Sequence, residues 1–214
     1  MNWGSGNLDV NPNFEDASNG NYNLENFSSC IGAGSGFNAP SDDIEGNPRP
    51  NPAGSSPDMG AYESKLGERV GPWTVHVALT GDDNTGDGSQ TKPYHTIQKG
   101  IDAAWHGDTV MVADGTYKGP GNVNLSFSGK AITVKSENGA VNCIIDCENI
   151  DTTRGLRFRN GEGLDSVMDG FTIKNGGISC SSSSPTITNN TIMGNSVDKD
   201  GGGISCYSSS PMIT

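Results

Sequence analysis

Apolar and polar residues alternate in short segments along the second half of the chain, and Gly, Asn, Ser or Pro separates one segment from the next. Examples are "FTIKN" at 171–175, "GGISC" at 176–180 and "PTITN" at 185–189. Alternation with a period of two over a few residues is typical of β-strands with one buried face. The pattern therefore predicts a series of short strands joined by tight turns.

Two stretches of this pattern repeat. One reads "GGISCSSSSPTIT" from Gly176, and the other reads "GGISCYSSSPMIT" from Gly202. Their cysteines are 206 − 180 = 26 residues apart, whereas "FTIKN" and "TIMGN" are 195 − 175 = 20 residues apart. The six extra residues are an insertion, "SVDKDG" at 196–201. The basic unit is therefore about 20 residues long, which is enough for three short strands and their turns.

Repeats of this length predict a solenoid, in which each strand pairs in parallel with the equivalent strand one turn away. We expect Ile178 to lie beside Ile204 and Cys180 beside Cys206, about 4.8 Å apart and buried in a narrow core. A serine-rich disordered linker is the alternative interpretation. The periodic apolar residues disfavour it, because a linker needs no such positions.

A single amphipathic helix is predicted ahead of the repeats. Ile97, Ile101 and Ala104 recur at helical spacing, and Gly107 is expected to end the helix. A helix in this place would cover the apolar core and the unpaired strand edges at the open end of a solenoid. Strands with inward apolar residues are also expected between this helix and the repeats, at Ile132, Val134, Leu156 and Phe158.

These residues resemble the right-handed parallel β-helix proteins, the pectate-lyase-like superfamily that also includes bacterial surface proteins. The resemblance includes "TIQ" at 96–98, "GDTV" at 107–110 and "GTY" at 115–117. It implies an all-β fold, a right-handed parallel β-helix (solenoid) with an N-terminal capping helix, over residues 73–214.

The first part of the chain resembles the closing segment of such proteins, known as the choice-of-anchor Q domain. The matching motifs are "NPNF" at 11–14, "YNL" at 22–24 and "DMGAYE" at 58–63. Ser29 and Gly32 stand where the family usually has Pro and Asp. The resemblance implies that this part closes an upstream β-helix.

The predicted division is therefore a loop-rich closing segment at 1–63, a linker at 64–72, and the cap and first coils of a second β-helix at 73–214. We expect the closing segment to dock weakly or not at all on the second β-helix. Because a segment that resembles the end of one β-helix precedes the start of another, we also expect the chain to be a fragment of a longer protein. The lack of a visible signal peptide then says nothing about localisation.

Composition and charge narrow the class of partner. Hydrophobic residues make up 32% of the 214 residues, 31 are Gly, and the charge balance is 13 − 25 = −12. Such a surface repels nucleic acid and anionic membranes, and no apolar run approaches the roughly 20 residues of a membrane span. We expect an extracellular or cell-surface protein whose partners are polysaccharides or cell-surface glycans, with no nucleic acid and no membrane insertion.

Five cysteines, an odd number, cannot all pair internally. Cys143 and Cys147 are four residues apart with no His nearby, which does not fit a zinc site. Buried thiols that pack as small hydrophobic side chains are the favoured interpretation. The five are Cys30, Cys143, Cys147, Cys180 and Cys206.

The loop "TGDDNTGDGS" at 80–89 is a weak candidate for a calcium site. It carries Asp82, Asp83, Asn84 and Asp87 among glycines, and clustered oxygen ligands in a flexible loop suit Ca²⁺. The match to an EF-hand loop is partial, because no Glu stands at the twelfth position. The favoured alternative is a solvated turn in which Asp and Asn side chains bind nearby backbone N–H groups.

Catalytic chemistry is harder to identify. A polysaccharide lyase would need Ca²⁺ and a Lys or Arg base on one outer face, and charged residues occur in the right region, but they match no lyase motif. Surface charge is therefore the favoured interpretation. The candidates are Asp146, Asp151, Arg154, Arg157, Arg159 and Asp165.

The histidines and large aromatic residues give no stronger signal. His76 and His95 have no nucleophilic partner in the sequence, and His106 is expected at the helix end, where a cation complements the dipole. Packing is favoured over sugar stacking for the aromatic residues near the helix, which are Trp73, Trp105, Tyr94 and Tyr117.

Two classes of function remain. The favoured one is a non-catalytic extracellular β-helix module that serves as a stalk, in adhesion or in glycan binding. The alternative is a carbohydrate-active enzyme of the polysaccharide lyase or glycoside hydrolase type, which rests on fold analogy. Ice binding through stacked threonines is also open, but the two copies align too few threonines to judge it.

Overall fold

A computed structural model of the protein describes residues 12, 14–26, 28–68, 73–150, 152–195 and 202–214. The chain divides into two compact units, Met1–Gly71 and Pro72–Thr214, called here the first and second units. The insertion at 196–201 and part of the predicted linker lie outside the described residues. The division predicted from the sequence, with its boundaries at 63 and 72, stays a prediction.

The first unit has little regular structure. Strands β1 (Phe14–Asp16) and β2 (Asn21–Leu24) pair antiparallel, and a short 3-10 turn, Ala17–Asn19, joins them. The remaining described residues form turns and irregular loops. A small apolar cluster contains Leu24, Cys30 and Ile31. Among its described residues, the unit is loop-rich with short strands.

The second unit is mostly β, with one helix, α1 (Ile97–Ala103), among its described residues. Its strands are two to four residues long. They are β3 (Thr74–Val77), β4 (Thr109–Val112), β5 (Gly115–Lys118), β6 (Thr133–Ser136), β7 (Cys143–Asp146), β8 (Leu156–Phe158), β9 (Val167–Asp169), β10 (Thr172–Lys174), β11 (Ile178–Ser181), β12 (Thr186–Thr188), β13 (Thr191–Met193), β14 (Ile204–Tyr207) and β15 (Met212–Ile213).

These strands form three sheets in which every described pair is parallel. The six-stranded sheet has the order β15-β12-β9-β6-β4-β3, the four-stranded sheet β13-β10-β7-β5, and the three-stranded sheet β14-β11-β8. From β9 to β15 the chain visits the six-, four- and three-stranded sheets in turn and then begins the order again. The expectation of a mostly β protein with parallel sheets is confirmed.

Asparagines at the sheet corners explain how the chain turns so often. Asn175 and Asn189 have φ values of 65° and 55°, a left-handed conformation that Asn tolerates better than most residues. The side chain of Asn190 donates to the carbonyls of Met168 and Thr188 and accepts from the N–H of Phe171. Polar corner residues thus satisfy backbone groups of neighbouring strands.

The pairing predicted from the repeat is confirmed. Ile178 pairs with Ile204 and Cys180 with Cys206 between β11 and β14. Ile178 and Cys180 are buried, but Ile204 is half-buried and Cys206 is exposed, so the expectation that both members of each pair are buried is wrong for the two residues of β14. The reason is their place, because β14 is an edge strand of its sheet.

A continuous apolar core lies between the three sheets. Val110 comes from the six-stranded sheet, Ile145 from the four-stranded sheet and Phe158 from the three-stranded sheet, and all belong to one buried cluster. Tyr94 and Tyr117 are also fully buried in it, so the expectation that they pack in the core is confirmed. Trp73 and Trp105 are half-buried.

Three cysteines are part of this interior. Burial raises the pKa of Cys143 to about 12, that of Cys147 to about 11 and that of Cys180 to about 12. The thiols are therefore neutral at ordinary pH and pack as small apolar side chains. Cys30 is buried in the first unit, and no disulfide joins any of the described residues.

The helix α1 starts at a capping threonine and packs on the six-stranded sheet. The Thr96 hydroxyl oxygen accepts a hydrogen bond from the N–H of Lys99, and Ile97 and Ile101 are buried. Gly100 lies so close to the sheet that a Cβ there would be 2.5 Å from Cγ2 of Val77. The absence of a side chain at this position is what allows the close packing.

The helix ends earlier than the sequence predicts. Ala104 is extended, with ψ at 150°, and the Lys130 ammonium donates to the carbonyls of Ile101, Asp102 and Ala104 at 2.9 Å each. Lys130, not Gly107, therefore caps the C-terminus of the helix. His106 lies beyond the helix and its Nδ1 accepts from the N–H of Ala131, so Lys130 also supplies the cation expected from His106.

Candidate ligand-binding surface

The aspartates of the 80–89 loop organise the loop and the start of α1. Asp82 accepts from the N–H groups of Asn84 and Thr85 at 2.7 and 3.0 Å, and these bonds lower its pKa. Asp87 accepts from the N–H of Ser89 at 2.9 Å. These are the side chain–backbone bonds expected of a solvated turn.

Asp83 has a further structural role. Its carboxylate accepts from the N–H groups of His95 and Thr96 and from the Thr96 hydroxyl, at 2.8, 3.0 and 2.7 Å. Among the residues that the structure describes, no three His, Cys, Asp or Glu side chains are grouped to hold a metal ion. Calcium binding by Asp82, Asp83, Asn84 and Asp87 stays a prediction from the sequence.

Asp146 lies on a different sheet from Arg157. Asp146 ends β7 in the four-stranded sheet, where the ammonium groups of Lys118 and Lys174 lie 3.4 and 3.3 Å away. Burial opposes ionisation of Asp146, but hydrogen bonds from the Glu148 N–H, Asn175 and Lys174 outweigh it and lower its pKa to about 2. This carboxylate is an ion-pair partner within its own sheet.

The other two acidic candidates are Asp165 and Asp151. Asp165 is exposed in the turn between β8 and β9, and Asp151 lies outside the described residues. The sequence groups Asp146 with Arg157 because they are close along the chain, but the chain changes sheet between β7 and β8.

Arg157 lies in β8 and Arg159 follows directly after this strand, at the next outward position of the chain. Leu156 and Phe158 are each 1% exposed, so the arginines between and after them face away from the core. Arg157 is half-buried, and its Nε donates to Oδ1 of Asn124 at 2.8 Å while a terminal nitrogen donates to the carbonyl of Thr152. Arg159 is exposed.

The arginines line an open cleft of about 500 Å³ together with Asn124, Ser126 and Thr152. Burial, and then the positive charges of Arg159 and Arg154, lower the pKa of Arg157. Like charges therefore lie close together here. Among the described residues, the cleft lining contains two arginines and no carboxylate.

The cleft continues into a row of small polar side chains on the same sheet. Arg157 pairs with Ser179, and Ser179 pairs with Ser205 on the next strand. One outward position further along, Ser181 pairs with Tyr207, whose side chain is 74% exposed. We call this surface the arginine–serine face, which consists of Asn124, Ser126, Arg157, Arg159, Ser179, Ser181, Ser205 and Tyr207.

Sequence reasoning named the two arginines but treated them as isolated surface charge. It missed the serines and Tyr207, although the signal was present. The alternation in "LRFR" at 156–159 and in "ISCY" at 204–207 places these residues outward, and alignment of the two strands with "ISCS" at 178–181 would have put them on one face.

The first unit has a separate apolar cleft of about 550 Å³. Phe14 and Tyr22 border it, with their ring centroids 5.3 Å apart in an edge-to-face arrangement. Its other apolar lining includes Leu24, Cys30 and Ile44. No sequence pattern predicts this cleft.

Comparison with known proteins gives one match. Residues 79–122 match the model of a family described as a protein of unknown function, DUF1565, a family linked to parallel β-helix proteins. The comparisons give no support to the choice-of-anchor Q resemblance of residues 1–63. No curated protein and no solved structure matches the chain. The similarity thus covers the aspartate loop, α1, β4 and β5.

Proposed function

We propose that the second unit is a right-handed parallel β-helix and that the protein is a non-catalytic extracellular or cell-surface module that binds glycans. The repeated visit to three parallel sheets supports the architecture. The hand follows from a general rule, because connections between parallel strands of one sheet are right-handed in about 98% of cases.

The role of α1 as a cap is part of the proposal. The helix contacts β3 and β4, and β3 is an edge strand of the six-stranded sheet. Ile97 and Ile101 add buried apolar surface beside this edge. A helix in this place blocks the pairing of further strands.

The arginine–serine face is the observation that carries the binding function. It combines guanidinium groups, hydroxyls, an amide and an exposed aromatic ring on and beside one sheet, which are the groups that bind sugar hydroxyls and pack on sugar rings. A rigid sheet positions them more firmly than a loop would. The net charge of −12 and the polar outward faces fit a protein exposed to an extracellular solvent.

A polysaccharide lyase is the second candidate, and the lowered pKa of Arg157 is the observation in its favour. A general base must lose a proton, however, and Arg157 uses two of its nitrogens as donors to Asn124 and Thr152. These acceptors stabilise the protonated guanidinium. Arg157 is thus better suited to binding than to proton abstraction.

The test is to incubate the protein with pectate, alginate and neutral polysaccharides, with and without Ca²⁺, and to follow both binding and chain length. We expect retention on at least one polysaccharide with no shortening and no unsaturated ends. Cleavage that disappears in Arg157→Lys or Asp146→Asn would overturn the non-catalytic assignment. Failure to bind any glycan would overturn the binding function.

A further inference from the structure

Positively charged side chains on the three sheets have different partners. The lysines on strands of the four- and six-stranded sheets lie beside carboxylates: Lys118 and Lys174 are 3.4 and 3.3 Å from Asp146, and Lys135 is 3.4 Å from Asp169. Arg157 and Arg159, in β8 and directly after it, form no ion pair with any residue that the structure describes.

The partners of the two arginines show this directly. Arg157 donates to a side-chain amide oxygen and a backbone carbonyl, so it is oriented without losing its charge. Arg159 is exposed and makes no hydrogen bond or ion pair with any residue that the structure describes. Among the described residues, no carboxylate lines the cleft beside the two arginines, so their positive charge is available to a ligand.

The spacing suits an acidic group on a polymer. Arg157 and Arg159 are two residues apart on an extended segment, which places their Cα atoms about 6.6 Å apart on one side. The planar guanidinium forms paired hydrogen bonds with carboxylate, sulfate or phosphate groups. Two such groups side by side can hold one oxyanion together or contact two on neighbouring units of a polymer.

The residues beside the arginines favour a carbohydrate over other polyanions. One row of outward side chains crosses the strands in steps of about 4.8 Å and contains Ser126, Arg157, Ser179 and Ser205. A second row contains Ser181 and Tyr207. Hydroxyls at this spacing can donate to and accept from sugar hydroxyls, and the Tyr207 ring can pack on a sugar face. The net charge of −12 opposes every polyanion, nucleic acid and acidic polysaccharide alike, so the rows of hydroxyls, which match sugar units, are what favour a polysaccharide.

We propose that the arginine–serine face binds an acidic polysaccharide, carboxylated or sulfated, which lies across β8, β11 and β14. Arg157 and Arg159 bind its oxyanions, the serines bind its hydroxyls, and Tyr207 packs on a ring. This proposal rests on the proposed function of the face in glycan binding and adds the class of ligand and the role of each side chain.

The test measures affinity of the 214-residue chain for four polymers: polygalacturonate, dextran sulfate, uncharged dextran and single-stranded DNA. We expect at least one acidic polysaccharide to bind about tenfold or more tightly than dextran, because paired charge-assisted bonds are lost with the neutral polymer. Which of the two binds distinguishes carboxylate from sulfate recognition.

Variants assign the binding to this face. Arg159→Ala should lower the affinity for the acidic polymer about tenfold, and Arg159→Lys should lower it less. Tyr207→Ala should lower the affinities for acidic and neutral polymers by the same factor. Lys135→Ala removes the same charge from the six-stranded sheet and is the matched control, with no more than about a twofold effect. Because Arg159 is exposed, circular dichroism of its variants should match that of the parent chain.

Three outcomes overturn the proposal. If dextran binds as tightly as the acidic polymers and Arg159→Ala has no effect, the ligand class is wrong while the glycan-binding function stands. If single-stranded DNA binds as tightly as the polysaccharides, the face is a general polyanion site. If no polysaccharide binds, the proposed function fails together with this inference.

Discussion

The two units of the chain are stabilised by different kinds of interaction. In the second unit, apolar side chains from three parallel sheets meet in one continuous cluster. In the first unit, the buried apolar cluster among the described residues contains Leu24, Cys30 and Ile31, and hydrogen bonds to carboxylates hold the loops. The difference shows how one chain combines a unit stabilised by a shared apolar core and a loop-rich unit that depends on a few polar side chains.

The carboxylates of the first unit each bind several loops. Glu63 accepts from Nε of Arg49 at 2.9 Å and from the N–H groups of Asn51 and Asp58 at 3.0 Å each. Asp58 in turn accepts from the N–H groups of Gly32 and Ser64, at 2.7 Å each. A buried acceptor of this kind satisfies backbone donors that have no strand partner. Removing one should therefore affect several loops at once.

The largest expected effect is a cavity in the second unit. Phe158 is 1% exposed, and its ring centroid lies 4.9 Å from that of Phe127. Phe158→Ala should lower the free energy of unfolding of this unit by about 4 kcal/mol, through lost burial and the cavity left behind. Urea denaturation measures the change. Val141→Ala truncates a side chain that is 88% exposed and should change stability by less than about 0.5 kcal/mol.

Equal losses in the Phe158 and Val141 variants would contradict the assignment of stability in this unit to the shared core. Hydrogen exchange is a second measurement of the same effect. Protection at Ile145 and Val110, which lie in the same cluster, should fall in Phe158→Ala together with protection around Phe158.

The next effect concerns the first unit alone. Arg49 and Glu63 have side chains that are 8% and 0% exposed, so Glu63→Gln would leave a buried cation without its counterion. We expect a loss of about 3 kcal/mol in the stability of the first unit, with little change in the second. Hydrogen exchange at Leu24 and Ile31, compared with Ile145, separates the two units. Glu45→Gln, at an exposed position, is the matched control.

A parallel loss of protection at Ile145 in Glu63→Gln would show that the two units do not unfold independently. It would also contradict the sequence-based expectation that residues 1–63 dock weakly or not at all on the second unit.

The parts of the fold that the sequence predicts are those governed by local periodicity. Alternation alone places Leu156 and Phe158 inward, and the repeat fixes the pairing of Ile178 with Ile204. The end of α1 could not be predicted in this way, because it depends on Lys130, which reaches the helix from a distant turn. The exposure of Cys206 depends on its position at a sheet edge, which a repeat cannot show.

The candidate site was predictable only in part for a related reason. The arginines attract notice by their charge, but their neighbours Ser179 and Tyr207 are recognised only once the register of three strands is known. In the 80–89 loop, composition suggests a metal site but does not reveal the structural role of Asp83. This role depends on residues beyond the loop, because Asp83 accepts hydrogen bonds from the start of α1.

The smallest expected effect tests whether the second unit also depends on a carboxylate. The ordinary pKa of an Asp side chain is 3.8, and that of Asp146 in the folded protein is about 2. A group with a lowered pKa stabilises the fold fully above its ordinary value, and this contribution is lost as the pH falls from about 4 towards 2. The melting temperature of the second unit should therefore fall over this interval.

Asp146→Asn identifies the group responsible. The variant should melt below the parent chain at neutral pH, because Lys118 and Lys174 lose their shared partner, and its melting temperature should fall less between pH 4 and 2. Asp165→Asn, in an exposed turn, is the control for removal of one negative charge. Identical pH profiles for the parent chain and Asp146→Asn would mean that Asp146 contributes nothing to acid sensitivity, and that the second unit is stabilised by its apolar core without help from this ion pair.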